Sequence, residues 1–312
     1  MESPNFRTLS DEIGQLFISQ DDCDITFIVQ DENIFAHSLI VSCRSPVLKA
    51  MIKGPMTAKN NNCFAITDPD LKIEDFKNFL QFLYTDFCEI NDGNCQMMLR
   101  LGDMYDVPQL LEKCAEFCKT RFTFLNILSY SELGLQYADT CSLLEKCLQA
   151  IPKLLFPFQK QYMVYGLTIG DDCETLSIYN GSKNVLIKPE LVKIIAEKCE
   201  RTVEFNEEVL FEKILKWAEE NCKENKKKVT PENLKFYMEE IIPYILFENL
   251  STLTLATKVF NNNLLPEGVL LNFICQSVVE ATPENGNSIP REPHYFPHYS
   301  STTTRRRERY IR

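Results

Sequence analysis

The sequence predicts an α+β domain followed by an all-helical domain. Three observations carry that expectation. Strand-like alternation is confined to the stretch before residue 70, helical periodicity recurs from residue 74 to residue 279, and from Thr282 the composition turns to Pro, Ser, Thr, Asn and Arg. A chain of 312 residues with 45% apolar and 25% charged residues has the length and balance for two domains, each with its own core.

A first helix is expected near the N-terminus, capped by Ser3 with Pro4 in its first turn. Phe6, Leu9, Ile13, Leu16 and Phe17 follow at spacings that place them on one face. So near the start of the chain, that stripe must be buried on the body of the protein or on a second copy of it. Ile25, Phe27 and Val29 alternate as a strand, residues 31–33 turn the chain, and 34–37 return it. Ser45-Pro46 opens a helix with Val47, Leu48, Met51 and Ile52 on one side, which Gly54-Pro55 stops. A short strand is expected at 63–66, and helices at 74–84, 95–105 and 107–121. Residues 1–121 thus read as one α+β domain.

Beyond residue 122 the strand signal nearly vanishes. A helix pair is expected at 126–137 and 141–151, then an irregular insertion at 152–184 carrying Pro152, Pro157, Gly166, Gly170 and Gly181. Helices resume at 188–198 and 206–220. Thr230-Pro231-Glu232 sets a cap, a proline and an acid in order at the start of another. Further helices are expected at 233–242, 250–260 and 267–279. Residues 122–278 are read as the helical domain and 279–312 as a disordered basic tail.

Composition excludes several classes of function. The net charge is −11, and the last 32 residues hold six Arg against three Glu, so the body is the more acidic part. An acidic body argues against nucleic-acid backbones as a partner. No apolar run reaches the roughly 18–20 residues that span a bilayer, so no membrane partner is expected. The N-terminus lacks the basic head and apolar stretch of a secretory signal, and 13 scattered cysteines do not form a disulfide framework. These features point to reduced thiols in the cytoplasm, with the nucleus also open. There is no GxxxxGK[ST], GxGxxG after a strand, GxSxG or HExxH, so neither cofactor nor enzyme chemistry is expected.

Single residues read in the same direction. His37, the one histidine of the folded part, is expected to be structural at the junction of hairpin and helix, because no nucleophile or acid partner is indicated. Cys114 and Cys118 lie one helical turn apart, but no second pair stands at zinc spacing, so they read as core thiols. His294 and His298 flank Phe296-Pro297, and the proline breaks the helix a shared metal would need. Arg305-Arg306-Arg307-Glu308-Arg309 is either a solvated tail or an address for the nucleus or an anionic surface.

Five blocks in order then carry a resemblance. Asp24-Ile25-Thr26-Phe27-Ile28-Val29, Phe35-Ala36-His37 through Ser45-Pro46, Gly54-Pro55-Met56, Phe82-Leu83-Tyr84-Thr85-Asp86 and Leu110-Leu111-Glu112-Lys113-Cys114 resemble the core of BTB/POZ domains. In the second half, Leu210-Phe211-Glu212-Lys213-Ile214-Leu215-Lys216-Trp217-Ala218, the 133–148 pair and Val229-Thr230-Pro231-Glu232-Asn233 resemble a BACK domain of the BTBD-type branch.

The resemblance implies a homodimer that exchanges or packs its first helix. Phe6, Leu9, Ile13, Leu16, Phe17 and Asp24 would lie at that interface. It also implies a substrate adaptor of a cullin-3 ubiquitin ligase, with cullin contacts at Met56 and Tyr84 and an unknown protein substrate. Three departures qualify this. The C-terminal recognition domain of the branch is not seen after residue 278. Ala58 stands where the family's cullin motif has Glu, which removes a charge-assisted contact of about 1.5–3 kcal/mol. Ser38 stands where nuclear BTB repressors carry a basic residue. The alternatives are a BTB scaffold without cullin binding and, ranked last, a transcriptional co-regulator.

Overall fold

The computed structural model describes residues 8–54, 62–155, 175–179 and 184–281. The first helix, α1 (Leu9–Ser19), starts from a reciprocal cap. Thr8 is extended, its hydroxyl accepts the Asp11 N–H, and the Asp11 carboxylate accepts the Thr8 N–H at 2.8 Å. Two end donors are satisfied at once, and the extended residue stops the helix from reaching back to the expected cap at Ser3. Ser3, Pro4 and Phe6 themselves lie outside the described residues.

Strands β1 (Ile25–Val29) and β2 (Glu32–Ala36) form an antiparallel hairpin with Val29 opposite Glu32. The loop is therefore two residues, Gln30 and Asp31, at φ 49° and 66°. Two positive φ values give the mirror-image turn whose twist matches its strands, which moves the turn one residue ahead of the expected 31–33. β3 (Cys63–Ile66) lies parallel on the other edge of β1, with Phe27 opposite Phe64. A parallel neighbour requires a crossover, and α2 (Ser38–Arg44) and α3 (Pro46–Lys53) lie within it. Ser45 ends one helix and caps the next: its hydroxyl accepts the Leu48 N–H and donates to Tyr105 O at 2.5 Å.

The sheet packs on α4 (Ile73–Thr85) through Phe27 and Phe76, whose rings meet edge to face at 5.3 Å. α5 (Cys95–Met104) and α6 (Pro108–Lys119) close this half, with Tyr105 stacked on Phe79 at 5.1 Å.

In the second half, α7 (Ile127–Gln136) and α8 (Leu143–Leu154) pack so closely that a Cβ on Gly134 would stand 2.7 Å from the Leu144 nitrogen. α8 runs through Pro152, so the expected break comes three residues late. A proline there leaves the Leu148 carbonyl without its helical donor. The Cys199 thiol supplies one instead, at 3.6 Å. The second half is also not all-helical. β4 (Ser177–Tyr179) and β5 (Asn184–Leu186) pair antiparallel, and three-residue strands are too short to show a period of two.

α9 (Pro189–Lys198) and α10 (Glu207–Glu224) follow. The lone tryptophan, Trp217, is fully buried on α10 and donates to Ile187 O at 3.0 Å. Arg201 ties the two helices: it donates to Ala196 O and Cys199 O at the end of α9 and pairs with buried Glu207 at 2.6 Å. α11 (Pro231–Met238), two 3₁₀ turns, α12 (Thr252–Thr254) with a π-turn after it, and α13 (Glu267–Ala281) complete the chain. The α13 backbone stays helical through 279–281, three residues into the expected tail. The two halves meet where Lys146 on α8 pairs with Glu112 and Glu116 on α6.

Candidate interaction face

α1 lies on α4 with one side only. Phe17 meets the Tyr84 ring at 5.0 Å, Ile13 packs against the core, and the Ser10 hydroxyl donates to Thr85 O at 3.0 Å. Gly14 allows the close approach, since a Cβ there would sit 2.8 Å from Thr85 Cγ2. The apolar stripe is wider than this contact. Leu9 is 72% exposed and Leu16 41%, and Ile18 on another side is 72% exposed. Ile13 and Phe17 are half-buried in the single chain, whereas Leu9 and Leu16 form an apolar edge that no other described residue covers.

Beneath α1 sits a polar junction built by β1, β2 and α4. His37 occupies the N-cap position of α2, yet its ring makes no capping bond. Its Nε2 points at Asp21 O, 2.7 Å away, so Nε2 carries the proton and Nδ1 accepts. The Tyr84 hydroxyl donates to Nδ1 at 2.8 Å and accepts the His37 N–H at 2.7 Å. Burial pushes the Tyr84 phenol up to about 12. Asp24 caps α2 in place of His37, accepting the Ser38 N–H and hydroxyl at 2.6 Å each. Burial works against the charged Asp24 carboxylate, but the Ser38 bonds outweigh it and hold its pKa below the ordinary value.

This junction has the residue types of a catalytic site without the alignment. Cys23 Sγ lies 3.9 and 4.0 Å from the two His37 nitrogens, nearly equidistant, so it is not aligned with the Nδ1 lone pair, which the Tyr84 hydroxyl already occupies. Burial, with Asp24, Asp21 and Asp22 around it, pushes the Cys23 thiol up, opposite to what a nucleophile requires. The junction locks a surface in place rather than activating a group.

The expected dimer-interface residues that are described fall into three sets. Leu9 and Leu16 are exposed, Ile13 and Phe17 line the α1–α4 contact, and Asp24 holds α2. Tyr84, expected at a cullin face, is 5% exposed and lies under α1, so in this chain it supports the face from below. Phe6 and Met56 lie outside the described residues. Cys23, Ser10 and Ile18 were not singled out by the sequence. A second exposed feature is an apolar groove of about 700 Å³ between the α4–α5 connection and α6, lined by Phe87, Ile90, Lys113 and Phe117. Among the described residues no helix is long and apolar enough to cross a membrane.

Comparison with known proteins identifies the domain in which this face lies. Residues 13–121 match the BTB/POZ domain family model. A stretch of 114 residues, 33% of this chain and 28% of the relative, is 37% identical to BTB/POZ and MATH domain-containing protein 3 of Arabidopsis thaliana. A longer stretch of 270 residues, 86% of this chain and 38% of the relative, is 22% identical to the human Kelch repeat and BTB domain-containing protein 3. The matches thus span well under half the length of these relatives.

Proposed function

Residues 13–121 are a BTB/POZ domain, a protein–protein interaction module, and on that premise we propose that the chain pairs with a second copy through α1 and serves as a substrate adaptor of a cullin-3 ubiquitin ligase. The observation that carries the pairing is the uncovered Leu9–Leu16 edge on a helix whose other side is fixed to α4. A two-fold partner offers the same edge in return, which is how a self-complementary interface closes. Residues 122–278 act as a BACK-like domain that holds substrate away from the dimer face. A match running through 86% of the chain to a relative with Kelch repeats supports that division.

Ala58 favours a second reading, a BTB scaffold that dimerises without cullin. Calorimetric titration of the full chain with the N-terminal domain of cullin-3, beside Ala58→Glu, separates the two. Nanomolar to low-micromolar binding by the native chain supports the adaptor. Binding gained only by Ala58→Glu leaves the scaffold. The dimer itself is tested by sedimentation of Leu9→Asp with Leu16→Asp, which should run as a folded monomer. An unchanged dimer would overturn the α1 interface.

A further inference from the structure

Three buried thiols gather where α5 meets α6. Cys95 is the first residue of α5, and Cys114 and Cys118 lie one turn apart on α6. The Cys95 and Cys118 sulfurs are 3.5 Å apart, in van der Waals contact, and the Cys95 thiol also reaches the Cys114 backbone oxygen, 4.0 Å away. Cys95 keeps a 6% opening to solvent and Cys118 has none. By residue exposure Cys95 is thus the less deeply covered member of the pair.

We propose that Cys95 and Cys118 form an oxidisable dithiol that closes to a disulfide when a hydroperoxide reaches Cys95. The Cys95 thiolate attacks the distal oxygen of the hydroperoxide. The O–O bond breaks, and the leaving alkoxide or hydroxide takes a proton. Cys95 is then a sulfenic acid. Cys118 gives up its proton and attacks the Cys95 sulfur, the S–O bond breaks, and water departs. Two thiols are oxidised and one peroxide bond is reduced.

Two physical features set Cys95 as the attacking sulfur. It stands in the first turn of a ten-residue helix, where the positive end of the helix dipole favours an anion. The Cys114 and Cys118 contacts pull its pKa down against the effect of burial, while contact with Cys95 and then burial push Cys118 up. Closure shortens the sulfur separation to about 2.05 Å, a small movement for two side chains already touching. The link would join the first turn of α5 to the last turn of α6, the helix that lines the apolar groove and pairs with Lys146 of the second half.

The test treats the full chain with hydrogen peroxide under native conditions, blocks remaining thiols by alkylation and digests with trypsin without reduction. Cleavage after Lys77, Arg100, Lys113 and Lys119 leaves Cys88 with Cys95 on one peptide and Cys114 with Cys118 on another, so Cys88→Ser and Cys114→Ser are run in parallel, and the link must form in both. The expected product is a Cys95 peptide joined to the Cys118 peptide, two hydrogens lighter than the sum. In Cys118→Ser the sulfenic acid on Cys95 should persist long enough for capture by dimedone. In Cys95→Ser, Cys118 should stay unmodified. The proposal fails if peroxide oxidises exposed Cys43 and Cys275 while Cys95 stays reduced, or if the link vanishes in Cys88→Ser or Cys114→Ser.

Discussion

The Tyr84 hydroxyl closes a two-bond ring with His37, accepting its N–H at 2.7 Å and donating to its Nδ1 at 2.8 Å. Both bonds depend on one oxygen lying under α1. Tyr84→Phe removes it and leaves the His37 N–H without its partner. The variant is expected to lose about 1–3 kcal/mol of stability, read from the urea midpoint. The packing against Phe17 should survive, since the ring stays. An unchanged midpoint would show that water fills the gap.

Asp24 gives a pH dependence with a definite sign. Its folded pKa lies below the ordinary carboxylate value of about 3.9, because the Ser38 bonds outweigh burial. The unfolded chain therefore takes up this proton first as pH falls. The stability Asp24 contributes is fully present above about pH 4–5 and is lost as pH drops through the folded value. Asp24→Asn should lie below the native chain in thermal midpoint at neutral pH and converge on it in acid. A gap that stays constant with pH would assign the effect to packing.

Arg201 and Glu207 are coupled by burial. Glu207 is essentially covered and also accepts the Leu246 N–H at 3.0 Å. Arg201→Met strands that carboxylate and should cost about 3–5 kcal/mol. Adding Glu207→Leu removes the stranded charge and should recover most of the loss. Trp217, the lone tryptophan, reports the unfolding of this half by fluorescence. A double variant no more stable than the single one would contradict the pairing.

Two helical glycines should respond differently to alanine. At Gly134 the new Cβ meets the Leu144 and Leu143 backbone at 2.7–3.2 Å, so helices α7 and α8 must part. At Gly102 it meets the side chain of Leu111 at 3.1 Å, which can yield. Gly134→Ala should destabilise by about 1–3 kcal/mol. Gly102→Ala should be near neutral, because helix propensity offsets about 1 kcal/mol of crowding. Chemical denaturation of both variants decides it.

Where local pattern and local structure coincide, the sequence was legible. Ile25, Phe27 and Val29 declare β1 because each faces the core from one strand. Ser45-Pro46 and Thr230-Pro231 declare helix starts because the cap lies within three residues of its donor. Tyr84 was harder, since its cover is α1, which arrives from more than sixty residues earlier. The periodicity of α4 marks the core side of that helix and gives no sign of a second helix on the other. Cys23 carried no signal at all, because its nearness to His37 comes only from the hairpin pairing. The stripe on α1 was visible as a whole, but how much of it the body covers depends on the Gly14–Thr85 approach.

The parallel seating of β3 beside β1 also orders the events of folding. β1 and β2 close a two-residue loop and can form within microseconds of collapse. Phe64 must find Phe27 from across the whole α2–α3 crossover, at a far greater loop-closure entropy. Until it does, one edge of β1 is bare, with Thr26 and Ile28 offering unpaired backbone groups to any extended chain nearby. The interval before β3 docks is therefore when a newly made chain is most open to wrong strand partners along β1, and that edge closes to them only once the third strand is in place.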